Sequence, residues 1–165
     1  MQAVPWRICA AGVADAPAIA AARYRSQPEA DAAIGHYTRW LQAKLQRDEY
    51  IGALARVGNE LIAGAGATLL DWGPRSDTGP VHTVARITNV FTLEAWRRRG
   101  LARALTQAVL DECRARGLVH AMLAATDMGQ PLDQRLGLDF KRNEMALRLT
   151  ADYAPPAPAT SRGSS

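Results

Sequence analysis

The residues best placed for chemistry lie between Asn89 and Arg103, in the run Asn-Val-Phe-Thr-Leu-Glu-Ala-Trp-Arg-Arg-Arg-Gly-Leu-Ala-Arg. A β-branched strand ends near Thr92, a basic turn follows, and a helix begins inside the turn. Helix N-termini carry unpaired amides and partial positive charge, so they hold phosphate. Gly100 lets the backbone approach an anion closely. Ala102 leaves the first helical turn uncrowded, and Arg97, Arg98, Arg99 and Arg103 surround it with positive charge. This pattern suits a diphosphate lying across the turn. It is not a Walker loop, because no Lys-Ser/Thr follows the glycine. Nor is Gly64-Ala65-Gly66 a dinucleotide fingerprint, since Leu69 stands where a third small residue is needed. In isolation the arginine triplet also describes a solvated helix start or a nucleic-acid contact, and charge alone favours the solvated surface.

The elements that must position this turn can be read in order. Trp6–Ala10 is a short strand. Asp15 ahead of Ala16-Pro17 marks a helix start, with the carboxylate capping free amides. That helix runs to about Arg25 and breaks at Gln27-Pro28. A second helix spans Glu29 to about Arg47, with Ile34, Tyr37, Leu41 and Leu45 on one stripe. Tyr50–Val57 and Leu61–Leu70 form a hairpin around Gly58-Asn59-Glu60, and Asp71–Pro80 is a loop. Val81–Thr92 is a long strand whose apolar positions slip by one between 87 and 90. A bulge explains the slip, and so does burial of the strand on both faces. Helix three runs from Leu101 to Arg116, buries Leu101, Leu105, Ala108 and Val109, and stops at Gly117. Leu118–Ala125 is a buried strand. Gly129–Leu136 is a short helix ending at Gly137, and Asn143–Leu149 is a last strand. The predicted fold is α/β (α+β), with a mixed, mostly antiparallel sheet and helices on both faces. Residues 1–150 form one domain, and the Pro/Ala/Ser-rich stretch 151–165 is expected to be a mobile tail.

Composition limits the partners. The chain has 165 residues, 20 Lys and Arg against 16 Asp and Glu, and a net charge of +4. With 48% apolar residues it is not disordered. A nucleic-acid binder concentrates more positive charge on one face, so no nucleic-acid partner is expected. No apolar run approaches the roughly 20 residues of a spanning helix. The two cysteines, Cys9 and Cys113, lie far apart, and the N-terminus lacks a signal-peptide pattern. A cytoplasmic location, with no membrane partner, is therefore expected.

The basic turn resembles the central motif of the GNAT superfamily of N-acetyltransferases, Gln/Arg-x-x-Gly-x-Gly/Ala, with Arg97, Gly100 and Ala102 at its fixed positions. Asn89–Thr92 resembles the strand leading into that motif. Ala124–Leu132 resembles the later strand-to-helix segment, Leu136-Gly137-Leu138 the family's Leu-Gly-Phe, and Asn143-Glu144-Met145 the start of a closing strand. The similarity runs in order and spacing from about Tyr50 to Leu149, and the preceding helix pair fits the family layout. What the resemblance implies is acetyl-CoA as co-substrate. The backbone of Val90, Phe91 and Thr92 would pair with the pantetheine arm like an added strand. The amides from Arg98 through Leu101 to Arg103 would hold the pyrophosphate, and Thr126 would join the cofactor-binding residues. The family splays strands four and five, here Val81–Thr92 and Leu118–Ala125, and the acetyl group sits in the gap.

The resemblance also implies direct transfer of acetyl to a primary amine on a small molecule or peptide, with the Val90 amide polarising the carbonyl. Many members carry a Tyr general acid where this chain has Asp133. An Asp with an ordinary pKa near ~4 is ionised, and donates a proton only if burial raises that value. Asp133 is thus a candidate acid or ammonium anchor, or else a solvated helix residue. Asn89 and His82 are the other catalytic candidates, both from the fourth strand. His82 is expected to be partly exposed at the strand start. Trp72, on a loop, is the candidate for substrate contact, whereas Tyr37 and Trp40 suit core packing. His36, His82 and His120 share no ligand spacing with a cysteine, so no metal is expected. The alternative is a non-catalytic acyl-CoA-binding or regulatory module that lost the usual acid. A homodimer is expected only on the family's habit.

Overall fold

The computed structural model describes residues 6–27, 31–74, 76, 79–124 and 129–138. In chain order the elements are β1 (Arg7–Ala10), a 3₁₀ turn (Val13–Asp15), α1 (Ala16–Arg23), α2 (Asp31–Gln46), β2 (Tyr50–Val57) and β3 (Glu60–Asp71). There follow β4 (Thr83–Thr92), a second 3₁₀ turn (Glu94–Trp96), α3 (Leu101–Ala115), β5 (His120–Met122) and α4 (Gln130–Arg135). The strands lie in the order β1-β2-β3-β4-β5. The first four are antiparallel neighbours and β5 runs parallel to β4. This is the mixed sheet that the sequence predicts. The expected last strand, 143–149, and the tail, 151–165, lie outside the described residues.

Alternation along the strands decides what each face carries. Ile51, Ala53 and Ala55 of β2 and Ala63, Ala65 and Ala67 of β3 turn to one face. There they meet Leu101, Leu105, Val109 and Cys113, which recur at helical spacing on α3. Tyr50 and Leu54 turn to the other face and pack with Ile19 of α1 and Leu41 of α2. The alanines let α3 lie close against the sheet, so the groove begins where the helix starts.

Some boundaries differ from the sequence reading, for physical reasons. Asp15 does not cap α1 with its side chain. Its carboxylate instead accepts the Gly12 amide at 2.8 Å and pairs with Arg56 of β2, tying the entry of α1 to the sheet. β5 starts later than the expected Leu118 because the Leu118 amide still closes the end of α3 on the Cys113 carbonyl, at 3.0 Å, and the expected end at 125 lies outside the described residues. Trp40 is exposed on α2 and stacks on Tyr37 with centroids 5.1 Å apart, so it is not a core residue.

Gly66 is the tightest point of the sheet. A Cβ there would lie 1.9 Å from the Tyr50 hydroxyl, and the ring has little room to move. Gly66→Ala is expected to destabilise the fold by about 1–3 kcal/mol, the usual loss for overpacking. Chemical denaturation reads this. A Tyr50→Leu background should absorb most of the loss in a double-mutant cycle, and additive losses would contradict the clash.

Candidate functional site

A groove of about 590 Å³ opens between β4 and the β5–α4 segment. Its first wall is β4 from Arg86 to Thr92, and its second is built by Leu123, Ala124, Gly129, Leu132 and Asp133. Ala102 of α3 and Arg23 of α1 close the two sides. The groove exists because the parallel pairing of β4 and β5 ends at Arg86↔Met122, whereas β4 continues to Thr92. Past that point, among the described residues, β4 pairs only with β3, and its other edge faces the groove with amides and carbonyls that none of them pairs.

β4 also carries a bulge. Gly66 pairs with Thr88 and Gly64 with Phe91, so Asn89 and Val90 together oppose Ala65. This is the phase slip seen in the sequence. Ile87 still packs on the α3 face, but Phe91 falls on the opposite face, where a Cβ on Gly64 would meet its ring at 2.5 Å. Asn89 takes φ 54°. Its Nδ2 donates to the hydroxyls of Tyr37 and Tyr50, each at 2.9 Å, and its Oδ1 accepts from Arg23 at 3.1 Å. Burial pushes the Tyr50 hydroxyl above the usual tyrosine range, with the Asn89 bond acting in the other direction. Tyr50 therefore stays protonated and supports Asn89 structurally.

At the far end of the groove β4 leads through the 3₁₀ turn into α3. Arg98 has φ 61° and Gly100 φ 79°, and this alternation of hand turns successive amides toward one side. The helix ladder opens with Ala104 donating to the Gly100 carbonyl at 3.0 Å. The amides of Leu101, Ala102 and Arg103 thus precede any intrahelical acceptor. Arg99 stacks 4.7 Å over Trp96, which fixes the turn from outside. Arg97, Arg98, Arg99 and Arg103 are exposed around it.

A model of the acetyltransferase (GNAT) family matches residues 18–136. The chain belongs to this family. Solved structures agree on the GNAT fold. A predicted acetyltransferase with acetyl-CoA from Clostridium acetobutylicum aligns with TM-score 0.80 at 21% identity, over 87% of this chain and 96% of that one. A GCN5-related N-acetyltransferase from Ralstonia eutropha aligns with TM-score 0.76 at 25% identity, over 88% and 99%. An aminoglycoside N-acetyltransferase, AAC(6')-Iy in complex with CoA, aligns with TM-score 0.69 at 18% identity, over 90% and 97%. A search of curated proteins finds no match.

Within this GNAT fold the sequence-predicted residues fall into two groups. Asn89, Val90, Phe91, Thr92, Ala102 and Asp133 line the groove, and the turn from Arg97 to Arg103 stands at its end. His82 and Trp72 do not line it. His82 precedes β4 and lies roughly 20 Å from Asn89 at about 3.3 Å per strand residue. It is buried at 4% exposure rather than partly exposed, and its ring meets His120 at 3.0 Å, a contact concealed by a separation of 38 positions. Trp72 is 51% exposed beside it, its amide donating to the His82 carbonyl at 2.9 Å. Among the described residues no group of three or more His, Cys, Asp or Glu could hold a metal ion, and no helix is long and apolar enough to cross a membrane. Thr126 and Asp127 lie outside the described residues. Arg23 and Arg86, which line the groove, were not singled out from the sequence. Nothing local in the sequence links Arg23 to a residue 66 positions away.

Asp133 is the one carboxylate among the described lining residues, and burial raises its pKa above the ordinary value. A raised folded-state pKa means that the protonated form stabilises the fold. That contribution is complete below the unfolded-state pKa and is lost as pH rises through the folded-state value. Asp133→Asn should therefore raise the melting temperature at pH 7 and leave it unchanged near pH 3. An equal shift at both pH values would show that ionisation of Asp133 carries no penalty.

Proposed function

We propose that this protein is an acetyl-CoA-dependent N-acetyltransferase that moves the acetyl group to a primary amine by direct attack. The observation that carries the reading is the free edge of β4 running straight into the bare amides of α3. An extended amide arm matches the first and a diphosphate the second. Two details support the fit. A Cβ on Gly100 would meet nothing within 4 Å, so there is open space above the turn. Thr92, on the groove wall, has a buried hydroxyl without a hydrogen-bond partner among the described residues.

Each part of the chain then has a task. Val90, Phe91 and Thr92 orient the arm through their backbone. The amides from Arg98 to Arg103 bind the diphosphate, and Arg97, Arg98, Arg99 and Arg103 add screening charge. When bound, acetyl-CoA supplies an activated thioester. The Val90 amide, set in the bulge, is the donor aimed at developing negative charge. Asn89 holds that bulge in place rather than exchanging protons. The Asp133 carboxyl, across the groove from β4, holds a proton more readily than an exposed carboxylate and is the group able to deliver it. Thr126 belongs with the cofactor residues by its place in the motif. The acceptor is a small-molecule or peptide amine. We assign no chemical task to His82 or Trp72.

A non-catalytic acyl-CoA-binding module is the competing reading, favoured by the Asp in place of the family's Tyr. Free-thiol release from acetyl-CoA with a panel of amines separates the two, because CoA binding without release supports the module. Given turnover, Asp133→Asn should lower kcat about 10²- to 10⁴-fold, the range for a general acid. Native kcat would remove Asp133 from the reaction. Gly100→Glu should reduce CoA affinity at least about 100-fold by calorimetry. It places a carboxylate at the helix N-terminus, while left-handed backbone costs the fold only about 1–2 kcal/mol. Native affinity in a folded variant would place the diphosphate elsewhere.

A further inference from the structure

The acceptor side of the groove is positively charged. Arg23, in the last turn of α1, lines it together with Arg86 of β4. Arg23 is exposed, but its guanidinium is held in place. Its Nη1 donates to Thr88 Oγ1 and to Asn89 Oδ1, both at 3.1 Å. Its guanidinium carbon lies 4.8 Å from the Tyr37 ring centroid and 5.8 Å from that of Tyr24. One nitrogen and one face thus fix the plane. Nε and Nη2 have no hydrogen-bond partner among the described residues, and neither Arg23 nor Arg86 has a carboxylate within ion-pair distance among them. Among the described residues the Arg86 guanidinium donates only to the Met122 sulfur, at 3.7 Å.

We propose that the acceptor amine carries an oxyanion, a carboxylate or a phosphate, and that Arg23, assisted by Arg86, seats it. A planar fork with two free nitrogens matches such a group bidentately. Arg23 sits against Thr88 and Asn89, the residues just before Val90. An oxyanion held there leaves the amine end of a small molecule within reach of the bulge. Among the described lining residues a polycation meets two arginines and one carboxylate, and is disfavoured. The inference rests on the transferase reading and narrows its substrate class.

The test compares acceptors in pairs that differ only in the oxyanion. The pairs are α-amino acids against their carboxamides and glucosamine 6-phosphate against glucosamine, with spermidine and kanamycin as polycations. Thiol release should favour the anionic member of at least one pair by ten-fold or more in kcat/KM. The two kinds of pair tell carboxylate from phosphate. Arg23→Gln should reduce that preference about 10- to 100-fold through KM, as loss of a charge-assisted hydrogen bond does. Arg23→Lys should recover part of it, and Arg86→Gln, at a side chain held by a single contact to sulfur, should reduce it less. CoA affinity of Arg23→Gln should stay within two-fold, because Tyr37 and Tyr50 still hold both ends of the Asn89 carboxamide. A ten-fold fall would mean that Arg23 serves the nucleotide, and would overturn the proposal. So would a preference for neutral or polycationic acceptors, or an anionic preference that survives both glutamine variants. Calorimetry with the same pairs on the CoA-loaded protein keeps the two readings apart. Anionic binding without thiol release sinks the transferase and spares the oxyanion site. Release from neutral amines alone sinks the oxyanion site and spares the transferase. Failure of every anionic probe to bind or react also overturns it.

Discussion

Asn89 has left-handed backbone, φ 54°, inside a β-strand, and its carboxamide is bound at both ends. That combination is the constraint on which the groove depends. A bulge in a strand is tolerated when something holds the extra residue, and Asn is among the few residues that accept this conformation without severe strain. Tyr50 comes from β2, Tyr37 from α2 and Arg23 from α1, so three elements must dock before the bulge is defined. Once it is, β4 changes hand, Phe91 turns to the face opposite Ile87, and Val90 is left outside the regular ladder. The β4 wall of the groove is therefore shaped by contacts from the α1 and α2 side of the sheet, where Arg23 itself reaches the groove.

The small residues of β3 are the other half of the same device. Gly66 leaves room for the Tyr50 ring and Gly64 for the Phe91 ring. Without them the tyrosine hydroxyl would not reach Asn89 and Phe91 would not settle after the slip. Gly64-Ala65-Gly66 superficially imitates a nucleotide loop, yet its glycines serve packing inside a strand. Ala63, Ala65 and Ala67 on the reverse face let α3 approach, and this brings the bare helix terminus to the end of β4.

What could be read from the sequence was local. The glycine turn, the start of α3 and the amphipathic stripe of α3 each depend on neighbours within a few positions, so their residue types report them directly. The slip in β4 was visible as a broken alternation, but burial on both faces explained it equally well until the register showed Asn89 and Val90 against Ala65. The contacts that complete the site are non-local. Arg23 and Tyr37 reach Asn89 across more than fifty positions, and His82 meets His120 across 38. Neither pairing leaves a trace in spacing. Asp15 misled for a related reason: its carboxylate had a local use as a cap and a distant one with Arg56, and the distant one prevailed.

Asp133 joins the two halves of the argument. A carboxylate on a short helix is ordinarily solvated and ionised, which made it an unconvincing acid in the sequence. The groove changes this by withdrawing water from it, and burial alone gives its upward pKa shift. The same burial makes the ionised form a liability to the fold at neutral pH. An amide of the same shape would carry no such ionisation penalty. The carboxyl thus holds its proton more readily than an exposed acid does, and a proton held on that wall is what the proposed transfer would use.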